Sequence, residues 1–284
     1  MKILVTGAGG LVGGATIRYC REINDEVFAM TREDLDIADK KAVFAAIETV
    51  KPDSVINCAA WTDVDGCEGN PEKNLAANAF GVENLALACR ASNANLITIS
   101  TDYVFDGAKK DFYTQRDDPN PISKYGQAKL EGERLAQKSL ARTIIVRSGW
   151  IFGAGGKNFL SKMPELLFAG KAIKAISDSE GTATYASDLA VRLRELAELD
   201  LPGIYHVTNS GEGTTFEKFA RSIEGANPDL IESVLLADLQ RPAPRPRNSK
   251  LRCLISEKYG LRPLPDWREA LEKFVQIIKE RSRT

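Results

Sequence analysis

Residues 2–14, KILVTGAGGLVGG, decide how the rest of the chain is read. A short strand-type run leads into Gly7, Gly10 and Gly13, a GxxGxxG pattern, and then into a helix-type segment near 11–22. Glycines alone also serve ordinary tight turns. Placed between a strand and a helix, they allow the backbone to approach a ligand closely and leave a helix N-terminus facing a pyrophosphate. The sequence therefore opens as a dinucleotide-binding unit.

Outward from that turn the same alternation repeats. EVFAM (26–30) precedes a helix near 40–50, and SVINCAA (54–60) precedes a long one near 71–92. NLITIS (95–100) is followed, after a polar loop, by a helix from about 123 to 138, and RTIIVRS (142–148) comes next. Strands apolar on both faces and separated by helices predict an α/β fold, a doubly wound parallel sheet of Rossmann type with right-handed crossovers. The second half is less regular. Phe159–Gly170 reads as helix, KAIKAIS as strand, 184–199 as an amphipathic helix and GIYHVTN as a strand. Thr214 and Glu217 have the spacing of a capping box. Pro242, Pro244 and Pro246 forbid a helix in the basic loop QRPAPRPRNSKL (240–251). We expect a dinucleotide-binding domain over 1–150 and a smaller interleaved substrate-binding lobe over 151–284, with 184–208 returning to the first sheet.

Bulk properties exclude several function classes. The 284 residues are 43% hydrophobic and carry a net charge of −1, so no basic field advertises nucleic-acid binding. No apolar run approaches the length of a membrane span. The beginning of the chain shows no signal-peptide pattern. Five scattered cysteines (Cys20, Cys58, Cys67, Cys89, Cys253) form no CxxC pair and read as reduced thiols of a cytoplasmic protein. The single histidine, His206, lies in a strand-type run and reads as a packed residue. A histidine base and a multi-histidine metal site are thereby excluded, and no metal site is expected.

The chemistry is concentrated in two segments. TISTDYVFDG ends the fourth strand and brings Ser100, Thr101 and Asp102 to the carboxyl edge of the sheet. NPISKYGQAKLEGE (120–133) places Tyr125 and Lys129 on one helix face among small neighbours. A free phenol titrates near 10 and is a slow acid at neutral pH. A nearby ammonium could lower that value by about 1–3 units and make a proton donor that needs no histidine. Thr101 can hold a substrate carbonyl, and the small neighbours leave room for a nicotinamide ribose that Lys129 also reaches. Arg32, at the end of the second strand, is placed to meet a 2′-phosphate, which favours NADPH, with NADH as the alternative. Asp36 and Ile37 lie where the chain could pass beneath an adenine. The small residues of NCAAWT (57–62) suit a cofactor crossing the strand ends.

Taken together, VTGAGGLVG, TREDLDIAD, KPDSVINCAAWTDVDGCE, STDYVFDG, PISKYGQAKLEGE, IVRSGWIFGAGGKNF and RPRNSKL resemble an extended short-chain dehydrogenase/reductase, and more narrowly the dTDP-4-dehydrorhamnose reductase family, over nearly the whole chain. The resemblance implies reduction of the 4-keto group of dTDP-4-dehydro-L-rhamnose to dTDP-L-rhamnose by NADPH or NADH. It implies Tyr125 as proton donor, with Thr101 and Lys129 completing the triad. Gly10, Leu11, Val12 and Gly13 match the pyrophosphate turn, and Ala60, Trp61 and Thr62 the cofactor-contacting end of strand three. Thr62, Val64, Asp102, Tyr103 and Trp150 match positions lining the sugar-nucleotide site, and Arg245 a position facing the diphosphate. A nucleotide-sugar substrate is the implied partner, and a homodimer is compatible with the resemblance. Two departures stand out. DSEGTAT (178–184) has Ser179 and Ala183 where the family pattern has Gln and Pro, and Ala15 occupies a position that carries a metal-binding glutamate in some members. Three other readings stay open: a reductase of another nucleotide-linked deoxy-ketosugar, an epimerase or dehydratase that retains NAD, and a non-catalytic subunit resembling the regulatory subunit of methionine adenosyltransferase.

Overall fold

In the first strand, β1 (Lys2–Thr6), neighbouring side chains point to opposite faces of a sheet and both faces are covered. Ile3 and Val5 enter one core with Ile17, Leu189 and Leu193, whereas Leu4 enters another with Val43, Ile47 and Leu85. The structure, a computed structural model, describes residues 1–281.

The chain continues through α1 (Leu11–Glu22), β2 (Glu26–Met30), α2 (Lys40–Val50), β3 (Ser54–Asn57), α3 (Val64–Gly69), α4 (Pro71–Leu75), a π-helical turn Ala76–Phe80, α5 (Gly81–Ser92), β4 (Asn95–Thr101), a 3₁₀ turn Asp102–Val104, α6 (Lys124–Ser139) and β5 (Thr143–Ser148). Then follow β6 (Ile151–Phe152), α7 (Phe159–Phe168), β7 (Ile173–Ile176), β8 (Thr184–Tyr185), α8 (Ala186–Leu199), β9 (Gly203–His206), α9 (Phe216–Arg221), β10 (Ile231–Val234) and α10 (Trp267–Arg281). Six strands form one sheet in the order β2-β1-β3-β4-β5-β9, with every adjacent pair parallel. Helices α1 and α8 pack together on one face, and α2, α5 and α6 on the other. This is the doubly wound parallel sheet expected from the alternation, and β9 adds its last strand beside β5.

A separate aromatic core holds Phe152, Met163, Phe219, Trp267 and Phe274, drawn from β6, α7, α9 and α10. Two small parallel ladders, β6–β8 and β7–β10, frame it. The substrate-binding lobe expected over 151–284 extends past this description, since 282–284 lie outside the described residues.

Three local expectations are revised. The third strand stops at Asn57, not at residue 60, because the Asn57 side chain accepts the Ala59 N–H at 3.1 Å and turns the chain out of the sheet. The helix expected over 71–92 contains the π turn, whose Asn78 faces inward and donates to Asn74 of α4 at 2.8 Å. The helix after residue 213 is capped by Thr215, which accepts the Lys218 N–H at 3.0 Å, and not by Thr214. Thr214 is committed to Gly181 by two backbone hydrogen bonds of 2.8 and 2.9 Å, and Glu217 pairs forward with Arg221.

Candidate active site

The carboxyl ends of β1, β3, β4 and β5 open into a cleft of about 520 Å³ that the second lobe covers. Its floor begins with the glycine turn. Gly7 has φ +67°, a left-handed conformation that favours glycine, and a Cβ there would lie 2.6 Å from the Cys58 carbonyl carbon. A Cβ on Gly13 would collide with the Gly7 carbonyl oxygen, so α1 can approach β1 closely only without one. The first amides of α1 have no side-chain cap, and Gly9 has open space above it. An uncapped 12-residue helix N-terminus under open space fits the pyrophosphate of a dinucleotide. Gly10, Leu11 and Val12 line the cleft, whereas Gly7 and Gly13 shape the turn beneath it.

Strand β4 and helix α6 supply the reactive groups. Ser123, two residues before Tyr125, caps α6 by accepting the Gly126 N–H at 3.1 Å. Tyr125 and Lys129 project from one face into the cleft, and Thr101 meets them from the end of β4. The Lys129 ammonium is 4% exposed and donates to the Ile99 carbonyl at 2.7 Å. Burial pulls its pKa down to about 8, against the opposing charge of Glu133. At neutral pH it is still mostly protonated.

Tyr125 behaves differently from the sequence expectation. Burial pushes its phenol above the ordinary value, and hydrogen bonding with Thr101 opposes this only in part. The lowering by Lys129 does not dominate, because the phenol is enclosed and the ammonium is turned onto Ile99. The group is thus held as a phenol, the form a proton donor needs.

One small neighbour of Tyr125, Gly126, has a different reason from the one expected. A Cβ on Gly126 would collide with the Tyr103 carbonyl oxygen. Glycine at 126 admits the backbone of the 3₁₀ turn that follows β4, not a ribose. Helix and turn are thereby pressed together, and the rings of Tyr103 and Tyr125 meet edge to face at 6.0 Å. Burial and the charge of Asp102 push the Tyr103 phenol up to about 12. Asp102 accepts from the Thr101 hydroxyl at 3.0 Å, and burial raises its carboxyl to about 6.

Ala60, Thr62 and Val64 line the cleft after β3. Trp61 contributes its backbone: Asn78 accepts from its N–H at 3.1 Å and donates to its carbonyl at 2.9 Å, while Lys73 lies over its ring at 4.4 Å. Asn74, bonded to Asn78, donates in turn to the Lys124 carbonyl at 2.8 Å. The π turn therefore ties the end of strand three to the start of the Tyr125 helix. Trp150 enters from β5 with φ +50°, and its ring packs against Phe216 at 4.1 Å.

Arg32 and Ile37 stand away from this cleft, whereas Arg245 reaches its edge, where its guanidinium hydrogen-bonds the Tyr103 phenol. Arg32 is 75% exposed and 3.6 Å from Asp36, at the outer end of β2. Ile37 is buried in the core under Gly81 instead of lying open to an adenine. Arg245 corrects a sharper expectation. It closes bidentately on Asp65 of α3 at 2.7 and 2.8 Å, and the Ala243 N–H adds a third bond at 3.0 Å. The guanidinium holds the Asp65 carboxyl below its usual range. Arg241, four residues earlier and exposed, lines the cleft instead, with Lys174, Phe159 and Phe216. Sequence reading missed these four, which come from three separate second-lobe segments and the basic loop. It also passed over Glu133 and Arg147, although an arginine inside an otherwise apolar strand was a visible signal. Among the described residues no cluster of three or more His, Cys, Asp or Glu could hold a metal, and no helix is long and apolar enough to cross a membrane.

Comparison with known proteins agrees with this geometry. The family model described as the RmlD substrate binding domain matches residues 1–280. A dTDP-4-dehydrorhamnose reductase of Mycolicibacterium smegmatis is 38% identical, covering 98% of this chain and 86% of the relative. One from Streptomyces griseus is 40% identical over 94% and 91%. The crystal structure of the Bacillus anthracis dTDP-4-dehydrorhamnose reductase in complex with NADP superposes with a TM-score of 0.91 at 31% identity, covering 96% of this chain and 99% of that one. The chain belongs to the dTDP-4-dehydrorhamnose reductase family.

Proposed function

We propose that this chain reduces the 4-keto group of dTDP-4-dehydro-L-rhamnose to the alcohol of dTDP-L-rhamnose, with NADPH as the reductant. The observation that carries the reading is the meeting of Thr101, Tyr125 and Lys129 in one cleft with the uncapped N-terminus of α1. When bound, the nicotinamide supplies the hydride that carbon 4 receives. The residues of the chain do the rest. Amides at the start of α1 bind the pyrophosphate. The Thr101 hydroxyl, turning its one proton from Asp102, holds the carbonyl oxygen by a hydrogen bond. Tyr125 gives its phenolic proton to that oxygen as it becomes an alkoxide, so the carbonyl gains one hydride and one proton. A raised phenol pKa still leaves this transfer downhill, because an alkoxide is the far stronger base. The Lys129 ammonium, held on the Ile99 carbonyl one helical turn from Tyr125, supplies the positive charge nearest the phenolate on α6 and lowers its cost electrostatically. Arg241 and Lys174, on the second-lobe side, offer positive charge to the substrate diphosphate.

One observation favours keeping a second sugar in view. Gly181, in the segment that departs from the family pattern, lies directly under Trp150, where a Cβ would collide with the indole. Ser179 in the same segment donates to the Pro246 carbonyl at 3.3 Å. The departing residues Ser179 and Ala183 flank the Gly181 that backs Trp150, and a related nucleotide-linked 4-ketosugar is the alternative substrate. NADPH oxidation measured across a panel of nucleotide-linked 4-ketosugars separates the two. The expected result is highest kcat/KM with the dTDP-linked rhamnose precursor. Preference for another sugar establishes the alternative, and no oxidation with any of them removes the reductase reading.

A further inference from the structure

Three consecutive residues at the end of β4 are each met by one turn of α6. Thr101 lies against Tyr125, the Ile99 carbonyl accepts from Lys129 at 2.7 Å, and the Ser100 hydroxyl donates to Glu133. Tyr125, Lys129 and Glu133 are spaced four apart and share one helix face. Glu133 is the turn that the reaction does not use. Its carboxylate takes a bidentate contact from Arg147 of β5, with Nε to Oε1 at 3.0 Å and Nη2 to Oε2 at 2.6 Å. Both side chains are almost fully enclosed, at 3% and 4% exposure. The Arg147 guanidinium lies 5.3 Å over the Phe105 ring.

A buried ion pair is a poor stabilising device, since well-packed apolar residues usually serve as well or better. Its position directly behind Lys129 calls for another reason. We infer that Glu133, oriented by Arg147, is a positioning residue that pins α6 to the end of β4 and keeps the buried Lys129 in its ammonium form. The inference rests on the reductase reading only in giving Lys129 a cofactor to bind. The groups around Lys129 and Glu133 are few. Ser100 faces them from β4, Arg147 from β5, and Tyr125 and Asp102 from the cleft side. His206 of β9 stands beyond Arg147 and is neutral, because burial, and then the Arg147 charge, hold its pKa near 3. Among the described residues Glu133 is therefore the one negative charge in the buried network behind the ammonium, and its field opposes the loss of the Lys129 proton on burial. Removing that charge favours neutral Lys129 and leaves Arg147 to repel the ammonium.

The test is NADPH affinity as a function of pH, read by nicotinamide fluorescence without sugar substrate, alongside melting temperature. In the wild type, affinity is full where Lys129 is protonated, well below its pKa of about 8, and falls as pH rises through that value. Glu133→Gln should move this fall to lower pH by about one unit or more. Glu133→Asp, which keeps the charge, should restore it toward the wild-type position even if melting drops. The neutral pair Glu133→Gln/Arg147→Gln, which strands no buried charge, serves if the single variant fails to fold; it removes the Arg147 repulsion as well, so its fall should lie below the wild-type one by a smaller step. A fall at the wild-type pH in the folded Gln variants, or an equal displacement in Glu133→Asp, would overturn the inference and reduce the pair to packing. Because no sugar is present, an error in the assigned substrate cannot produce either result.

Discussion

Along the sheet-side wall of the cleft, Tyr125, Lys129 and Thr101 are buried and held by hydrogen bonds within and between β4 and α6. Along the second-lobe wall, Phe159 and Arg241 are exposed, Phe216 is half-buried, and the loop carrying Arg241 is tied to α3 through Arg245 and Asp65. The first wall is preorganised and its groups have displaced pKa values, as a site for proton transfer requires. The second is open, aromatic and basic, as a site that grips a variable nucleotide requires. Substitutions in the first should therefore act on kcat, and those in the second on KM.

The largest effect is expected from Tyr125→Phe. The ring and its contact with Tyr103 survive, but the proton is gone. Turnover should fall by about 10²–10⁴-fold with NADPH affinity nearly unchanged. Steady-state kinetics with separate cofactor titration checks this, and near-normal turnover would break the assignment of the first wall. Next is Gly126→Ala. Its methyl must push the helix away from the Tyr103 carbonyl, at a cost of roughly 1–3 kcal/mol. Melting temperature and kcat should fall together, because the displaced helix carries Tyr125. A variant that melts as the wild type does would show that the helix can shift without strain.

How much of this was legible in the sequence follows the same division. The first wall was readable because its determinants are local: the glycine spacing, the strand ends and the four-residue interval of Tyr125 and Lys129 fix faces and neighbours through backbone periodicity. Even Glu133 shares that interval, and only its partner Arg147 had to be found in space. The second wall was not readable, since the Asp65–Arg245 pair joins residues 180 apart and no local pattern announces it. Arg245 and Arg241 are equivalent as sequence, two arginines in a proline-rich loop. Only the folded chain shows that Arg245 closes on α3 at the Tyr103 edge while Arg241 stands open in the cleft. The reason for glycine at 126 was likewise hidden, because the atom it avoids belongs to another segment.

That distinction can be sharpened at the second wall. Arg241→Ala should raise KM for the nucleotide sugar by about tenfold, as for a lost charge-assisted contact, with little change in kcat. Asp65→Asn and Arg245→Ala should each raise KM by a few-fold, and the double variant should be no worse than either, since both break one tether. If Arg245 itself held the diphosphate, Asp65→Asn would free it and leave KM unchanged or lower. The smallest effect belongs to Arg32→Ala. An arginine so exposed is screened by solvent, so the expected loss is roughly 1 kcal/mol for NADPH and almost nothing for NADH. Equal losses for the two cofactors would show that Arg32 makes no contact peculiar to the 2′-phosphate.

The most direct measurement follows the hydride itself. The purified chain is given dTDP-4-dehydro-L-rhamnose and NADPH bearing deuterium at carbon 4 of the nicotinamide, in each of its two configurations, and the product is examined by NMR and mass spectrometry. The account predicts dTDP-L-rhamnose with one deuterium at sugar carbon 4 from one configuration only, with formation slowed in Tyr125→Phe by the same factor as turnover. Product without deuterium from either configuration, label at another sugar carbon, or no reduced sugar at all would contradict it.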